Sequence, residues 1–248
     1  NDELIRVMPL AQFLQGPRHP GAISICSEVR PHLTPEIVNE LHPLSPLAYF
    51  TAGRLFNLPV HYASTLGHDR LVQAHEIFNE YFVVGADNHS CKAVLIDSGT
   101  FTTVDLITAQ GFEGGHIIPG LHLLANLFEK GAKLSALSLD QLISFYPRKR
   151  ELPQTTPHAM GLGVWQMQEG FLRQWFLQHH PDKIILTGGQ AQTLHPLIQE
   201  IMAELYPSHI VIRPHLIHYS LLSLAKKILA TERPGPLIAM EEPLCPTF

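Results

Sequence analysis

The stretch that decides the fold of this 248-residue chain is Val94-Leu95-Ile96-Asp97-Ser98-Gly99-Thr100-Phe101-Thr102-Thr103-Val104-Asp105. The apolar run Ala93–Ile96 predicts a buried strand that stops at Asp97, and Thr102–Ile107 predicts its hairpin partner. The tight turn between them would offer backbone N–H groups and the Thr100 hydroxyl to a phosphate, while the Asp97 carboxylate can hold a cation. An ordinary hairpin turn explains the same residues. Both interpretations stay open on this segment alone.

Strands and helices are predicted to alternate along the rest of the chain, which indicates an α/β protein. Further strands are predicted at Ala22–Cys26, Leu58–Tyr62 and Ile184–Leu186. Helices are predicted at Pro35–Leu41, Leu71–Phe82, Leu121–Glu129, His158–His179 and Leu194–Leu205. The tail Pro234–Phe248 holds four prolines and is predicted to be irregular.

Composition narrows the class of protein. Hydrophobic residues make up 45% of the chain and charged residues 16%, which is enough for a sizeable core, and no apolar run approaches a membrane span. The start of the chain does not resemble a signal peptide.

The net charge is −5, and the tightest basic cluster, Arg148-Lys149-Arg150, is typical of a solvated loop rather than of a nucleic-acid site. Three widely spaced cysteines favour a reducing compartment. We therefore expect a cytoplasmic protein with no nucleic-acid or membrane partner.

A second candidate for chemistry is Leu66-Gly67-His68-Asp69-Arg70, between a predicted strand and a predicted helix. Asp69 can accept a proton from a substrate hydroxyl, and Arg70 can hold an anion and keep that carboxylate ionised. An Asp that caps the helix beside a surface Arg explains the segment more simply when it is taken in isolation.

A third candidate is the strand end Ile184-Ile185-Leu186-Thr187-Gly188-Gly189. Two glycines after a buried strand let a flat ligand approach the backbone where the next helix begins. A plain β–α turn explains these residues nearly as well, and the Gly-x-Gly-x-x-Gly pattern of dinucleotide binding is absent from this segment. The sixteen histidines show no His-Glu-x-x-His arrangement, so they are interpreted as ordinary polar residues rather than zinc ligands.

The order and spacing of these segments are more informative than any one of them. Gly67-x-Asp69-Arg70, Asp97-x-Gly99-Thr100-x-Thr102 with Asp105, and Gly114-Gly115-x-Ile117-x-Pro119-Gly120 together resemble the type III pantothenate kinases. Thr155-Thr156-Pro157-His158-Ala159 is similar to that family's Thr-x-x-Ala segment, and Thr187-Gly188-Gly189 to its adenosine-side strand end. The likeness runs from about Ala22 to Ala225.

The resemblance implies an actin-like fold of the acetate and sugar kinase superfamily, with two related α/β domains around a nucleotide cleft. It places an incomplete N-terminal domain at residues 1–90 and a C-terminal domain at 91–248, with the irregular tail from about residue 234. It also implies ATP-dependent phosphorylation of pantothenate, the first step of coenzyme A synthesis. ATP with Mg²⁺, a monovalent cation such as K⁺ or NH₄⁺, and a homodimer are implied as well.

Residue roles follow from the resemblance position by position. Asp69 would be the general base on the pantothenate hydroxyl, Asp97 would ligate the monovalent cation, and Thr100 would contact ATP. The pantothenate pocket would be lined by Gly67, His68, Asp69, Arg70 and Thr156. Tyr62 is the nearest candidate for the family's pocket tyrosine, although it lies two residues too close to the Gly-x-Asp-Arg motif.

The chain departs from the family pattern at its start and at Phe101. The family opens with a strand ending in Asp-x-Gly-Asn-Thr, which grips the phosphates, and this sequence contains no such motif. The first domain is therefore expected to lack its N-terminal hairpin. Phe101 replaces the usual alanine beside Thr100, which would crowd the site. Three hypotheses remain: an active pantothenate kinase, a kinase-like accessory or regulatory protein without catalysis, and a sugar or acetate kinase of the same superfamily.

Overall fold

A five-stranded mixed sheet organises the computed structural model, which describes residues 57–63, 65–84, 90–131, 133–146 and 151–231. Its strands are β1 Lys92–Ser98, β2 Phe101–Thr108, β3 Gly111–Pro119, β4 Lys183–Thr187 and β5 His209–Ile212, in the spatial order β3-β2-β1-β4-β5. The first three strands pair antiparallel, whereas β4 and β5 run parallel to β1.

Six α-helices accompany the sheet in the part of the chain that the structure describes: α1 His68–Phe78, α2 Leu121–Leu127, α3 Leu139–Phe145, α4 Thr156–His179, α5 Ala191–Leu205 and α6 Leu216–Thr231. Helix α1 continues into a π-helical segment, Asn79–Val84, and α2 into a 3₁₀ turn, Phe128–Lys130. Helix α4 begins where Thr155 caps it, since the Thr155 side chain accepts a hydrogen bond from the His158 N–H.

The two faces of the sheet carry different helices because successive side chains of a strand point to opposite sides. Val94 and Ile96 of β1 belong to the larger core, which α2, α3, α4 and α5 complete with residues such as Leu121, Leu142, Trp165 and Leu194. Ala93 and Leu95 belong to the opposite core, which α1 completes with Ala74, Ile77 and Phe78. Helix α6 packs against α1 through Leu221, Leu224 and Val72. A continuous apolar run such as Ala93–Ile96 is what a strand covered on both faces requires.

Most of the predicted elements are confirmed, with ends that differ by a few residues. The predicted helix Leu71–Phe82 begins earlier, at His68, and the predicted hairpin is present with Asp97 opposite Thr103. Ala22–Cys26, Pro35–Leu41, Arg148-Lys149-Arg150 and the tail Pro234–Phe248 lie outside the described residues.

The prediction of a strand at Leu58–Tyr62 is wrong. Only Val60 pairs, in an isolated bridge with Phe112 of β3. Pro59 has no N–H to donate, although its carbonyl accepts a 2.9 Å hydrogen bond from the Phe112 N–H. One proline therefore limits the pairing of this segment to a single bridge.

The expected domain boundary near residue 90 stays a prediction, because residues 1–56 lie outside the described part. Within that part, helix α1 and the preceding Leu58 and Leu66 pack on the sheet formed by residues 92–212. The segment that carries Asp69 thus packs directly on the sheet whose first strand, β1, carries Asp97. Among the described residues, no helix combines the length and the apolar character needed to span a membrane.

Candidate functional site at the carboxyl edge of the sheet

The carboxyl ends of β1 and β4 meet because these strands are parallel neighbours, with Asp97 paired to Thr187. Gly188 follows Thr187 with a φ of +88°, a conformation that L side chains rarely adopt. A Cβ at Gly188 would collide with Oδ1 of Asp97 and the carbonyl of Ser98. The backbone of the Thr187-Gly188-Gly189 turn can therefore lie directly beside Asp97.

Helix α1 is joined to the same edge through its buried face. The Gln73 side chain is 1% exposed, and its Nε2 donates a 2.8 Å hydrogen bond to Oδ2 of Asp97. Asp69 lies one turn earlier on the helix, and residues four apart share a helical face. Burial raises the pKa of Asp97, the Gln73 hydrogen bond opposes this, and the charge of Asp69 adds to the rise. The negative charge of Asp69 therefore acts on Asp97.

Asp69 itself is exposed in the first turn of α1, where a carboxylate is stabilised by the helix dipole. Gly67, in extended conformation, is the N-cap residue. A Cβ there would collide with the Asp69 carboxylate, so glycine leaves the room that this carboxylate occupies. His68, the first residue of the helix, is exposed beside it.

Arg70 lies beneath this surface in a buried ion pair with Asp105 of β2. Its Nε lies 3.2 Å from Oδ1 and 3.1 Å from Oδ2 of Asp105, and its Nη2 also donates to Oδ1. Burial lowers the pKa of Arg70, but the hydrogen bonds and charge of Asp105 outweigh it and raise that pKa above its ordinary value. Burial raises the pKa of Asp105, Arg70 lowers it, and the charge of Asp69 contributes to the rise. The charge of Asp69 therefore acts on both Asp97 and Asp105.

Two aromatic rings lie against the Arg70 guanidinium. Its central carbon lies 5.3 Å from the ring centroid of Tyr62 and 5.6 Å from that of Phe112, distances at which cation–π attraction operates. The two rings meet edge to face at 5.9 Å. Tyr62 is 41% exposed, so its ring separates the guanidinium from solvent while remaining accessible.

The remaining predicted site residues are placed as follows. Thr100 is exposed in the β1–β2 turn, and its carbonyl accepts a 3.0 Å hydrogen bond from Gly120 N–H, which fixes the turn. Phe101, expected to crowd the site, is also exposed. Thr156 is the exposed first residue of α4. No hydrogen bond within the described part of the chain joins Thr156 to Asp69 or Arg70, so its role in pantothenate binding stays a prediction.

Comparison with known proteins identifies the family. The family model of the type III pantothenate kinases matches residues 5–177, more than half of the chain. The chain belongs to the type III pantothenate kinase family. The actin-like α/β fold that the resemblance implied is confirmed.

Individual relatives agree with this membership. A type III pantothenate kinase of Rhodopirellula baltica is 30% identical over 173 residues, which is 67% of this chain and 57% of the relative. The type III pantothenate kinase of Pelobacter propionicus is 29% identical over 174 residues, covering 66% and 58%. The matches thus span less than two thirds of the length of these curated relatives.

A solved structure shares the fold. It is a Campylobacter jejuni protein assigned by name to the Baf family of transcriptional activators, with a TM-score of 0.59 and 20% identity, covering 90% of both chains. At this identity the likeness concerns the fold alone.

The monovalent cation implied for type III pantothenate kinases fits the residues present. Among the described residues, no cluster of three or more His, Cys, Asp or Glu side chains could hold a metal ion. A cation bound by one carboxylate and by backbone and amide oxygens is compatible with that, since hard cations take oxygen ligands. The oxygens available at this edge are those of the Asp97 carboxylate, the backbone carbonyls of the turns around it, and Oε1 of Gln73, which is buried without a described hydrogen-bond partner.

Sequence reasoning missed Gln73 and gave Asp105 no role. The signal for Gln73 was its position four residues after Asp69, on the stripe of α1 that also carries the buried Ile77. Asp105 was visible as an acid within an alternating strand, where a buried carboxylate requires a cationic partner. That partner is Arg70.

Proposed function

We propose that this protein transfers the γ-phosphoryl group of ATP to pantothenate and forms 4'-phosphopantothenate, the first step of coenzyme A biosynthesis. Membership of the type III pantothenate kinase family supports the reaction. The observation that carries it is the coupling of Asp69 to Asp97 through one helix, since Gln73 ties α1 to Asp97 one turn after Asp69. A base for the acceptor alcohol and a ligand for a cation are thereby held at one site.

Asp69 is the general base in this proposal. Its carboxylate is exposed in the first turn of α1 and is therefore accessible to a substrate. Phosphoryl transfer passes through a loose transition state, so alignment of the nucleophile and neutralisation of charge matter more than covalent help. Asp69 would orient the pantothenate hydroxyl and accept its proton late in the transfer.

Arg70 would bind the pantothenate carboxylate from below. Asp105 takes Nε and Nη2, so Nη1 lies outside that pair. A guanidinium fixed by one carboxylate and two rings loses little freedom on binding a second anion. Tyr62, half exposed over the guanidinium, would form one wall of the pocket, with Gly67 and His68 beside Asp69.

The nucleotide and the cations would bind at the carboxyl edge of the sheet, on the side away from the proposed pantothenate pocket. When bound, ATP with Mg²⁺ supplies the phosphoryl group, and the monovalent cation offsets its charge. Asp97 would hold the monovalent cation, and the exposed Thr100 hydroxyl would contact ATP. The Thr187-Gly188-Gly189 turn would border the adenosine, because its glycines let a flat ligand approach the backbone.

We also propose, from membership of the family, that the protein forms a homodimer and is located in the cytoplasm.

The experiment is direct detection of the product. The protein is expressed from its natural reading frame and incubated with pantothenate, ATP and Mg²⁺ in KCl, and 4'-phosphopantothenate is measured by mass spectrometry together with ADP. NaCl in place of KCl tests the cation, and glucose or acetate in place of pantothenate tests the acceptor. Product that requires pantothenate supports the proposal. ADP released with sugar or acetate favours the superfamily alternative, and absence of any product favours the accessory protein.

A further inference from the structure

Gln73 connects the two carboxylates of the proposed site. It lies on α1 four residues after Asp69 and donates from Nε2 to Oδ2 of Asp97 at 2.8 Å. This hydrogen bond crosses from the helix to the end of β1, and it leaves Oδ1 of Asp97 on the side of Gly188. The two oxygens of Asp97 therefore have different surroundings.

Burial of the Gln73 side chain costs free energy, because one of its polar atoms makes no hydrogen bond within the described part of the chain that would offset the loss of water. The side chain is 1% exposed, and Oε1 has no hydrogen-bond partner among the residues that the structure describes. Buried polar atoms are nearly always paired, so an unpaired one calls for an explanation such as an ion or a bound water. The amide gives its N–H to Asp97 and leaves its own oxygen unsatisfied next to that carboxylate, which is compatible with a cation bound by both groups.

We propose that Gln73 is a positioning residue, which fixes Asp97 through Oδ2 so that Oδ1 faces the monovalent cation, and which ties that cation to the helix carrying Asp69. The inference rests on the proposed function, and it adds a residue to which the resemblance gave no role. Residues that orient a metal ligand through a hydrogen bond affect metal affinity without touching the metal. The predicted consequence is a selective loss of cation affinity.

The chain provides a matched control in Gln168. It is also buried, at 2% exposed, its Nε2 also donates one hydrogen bond, to the Pro119 carbonyl at 3.0 Å, and its Oε1 is also without a described partner. Gln73→Met and Gln168→Met therefore remove the same kind of buried hydrogen bond. Only the first of them touches Asp97.

The test is thermal melting of wild type and both variants in a KCl titration, with tetramethylammonium chloride at equal ionic strength as reference. K⁺ that binds only the folded state adds RT ln(1 + [K⁺]/Kd) to its stability, so the rise of the melting temperature with K⁺ concentration gives the Kd for K⁺. We expect this Kd to rise by about tenfold or more in Gln73→Met. Gln168→Met keeps the wild-type Kd for K⁺. If Gln73→Met does not fold, Gln73→Asn, which retains an amide but withdraws it from Oδ2, takes its place.

If the protein forms 4'-phosphopantothenate, the K⁺ dependence of its turnover provides a second measurement. The K⁺ concentration for half-maximal turnover rises in Gln73→Met, while the KM for pantothenate stays at the wild-type value. A K⁺ response in Gln73→Met equal to wild type overturns the proposal, and so does wild-type protein that turns over without responding to K⁺. A K⁺-dependent melting shift that Gln73 controls, in protein that makes no product, supports the positioning role and contradicts the proposed function.

Discussion

The Arg70 guanidinium and the Asp105 carboxylate face each other side-on, with Nε 3.1 Å from Oδ2, and both are almost completely removed from solvent. Arg70 precedes Asp105 by 35 residues, so this contact fixes the start of α1 on the second strand of the sheet. Because Asp69 is the neighbour of Arg70, the same contact orients the proposed base. This ion pair therefore also positions the carboxylate that we propose as the general base.

Replacing Arg70 with Met is expected to destabilise the fold by about 3–5 kcal/mol, because it leaves Asp105 buried without its partner. Arg70→Met combined with Asp105→Leu is expected to recover most of that loss, since a buried ion pair can be exchanged for apolar groups at little net cost. Urea unfolding measures both effects. Pantothenate affinity, measured by calorimetry, stays low in the double variant if Arg70 binds substrate. Wild-type affinity there would restrict Arg70 to a structural role.

Gly188→Ala is expected to lower both the stability of the fold and the affinity of the proposed cation site. The added methyl group meets Asp97 and Ser98, and the positive φ alone costs about 1–3 kcal/mol for a residue other than glycine. Gly189→Ala is the matched control, because a Cβ at Gly189 has no atom within 4 Å. Melting temperature and K⁺ dependence are measured for both. Equal behaviour of the two variants would show that the close approach of Gly188 to Asp97 is not needed.

Stability is expected to depend on pH through His179, at the end of α4. Its ring lies 4.3 Å from that of Trp175, and burial, with the charges of His116 and Lys92, lowers its pKa below the ordinary 6.5. Between the lowered pKa and 6.5, the unfolded chain takes up a proton at this residue and the folded chain does not. The stabilising contribution is therefore complete above pH 6.5 and is lost as the pH falls through the folded pKa.

His179→Gln should accordingly show a smaller loss of melting temperature than wild type when the pH is lowered from neutral into the acid range. Gln178→Ala, on the same helix and without a titratable group, should keep the wild-type slope. An unchanged slope in His179→Gln would remove this residue from the acid response.

Strong local signals made much of the fold predictable. The β1–β2 hairpin followed from one apolar run and one tight turn, and α4 followed from a long helical stretch that ends before Pro181. Strand β3 was missed because its glycines resemble loop residues. Gly115 is required there, since a Cβ would collide with the Val104 carbonyl on the neighbouring strand. Such a requirement arises from tertiary packing and cannot be read from local pattern.

Shorter elements were missed for other reasons. Helix α3 carries a capping box between Ser138 and Gln141, a signal present in the sequence but not used. Strand β5, His209–Ile212, is a four-residue edge strand, and its identity depends on pairing with β4. Helix α6 was likewise not predicted.

The site was only partly predictable. Asp69 and Asp97 were singled out by motif, and the charge of Asp69 contributes to the raised pKa of Asp97. Gln73 escaped notice because a polar residue on a helix is usually solvated. Its importance depends on a hydrogen bond to Asp97, which lies 24 residues later in the sequence and is brought close only by the packing of α1 on the sheet.

The most direct test of the account is the turnover of Asp69→Asn, measured as 4'-phosphopantothenate formed per second at saturating pantothenate and ATP. Asp140→Asn is the control, an exposed acid in the first turn of another helix. We expect Asp69→Asn to melt as wild type does, to bind pantothenate, and to turn over about 10²–10⁴-fold more slowly, while Asp140→Asn remains fully active. Wild-type turnover in Asp69→Asn would contradict the assignment of the base.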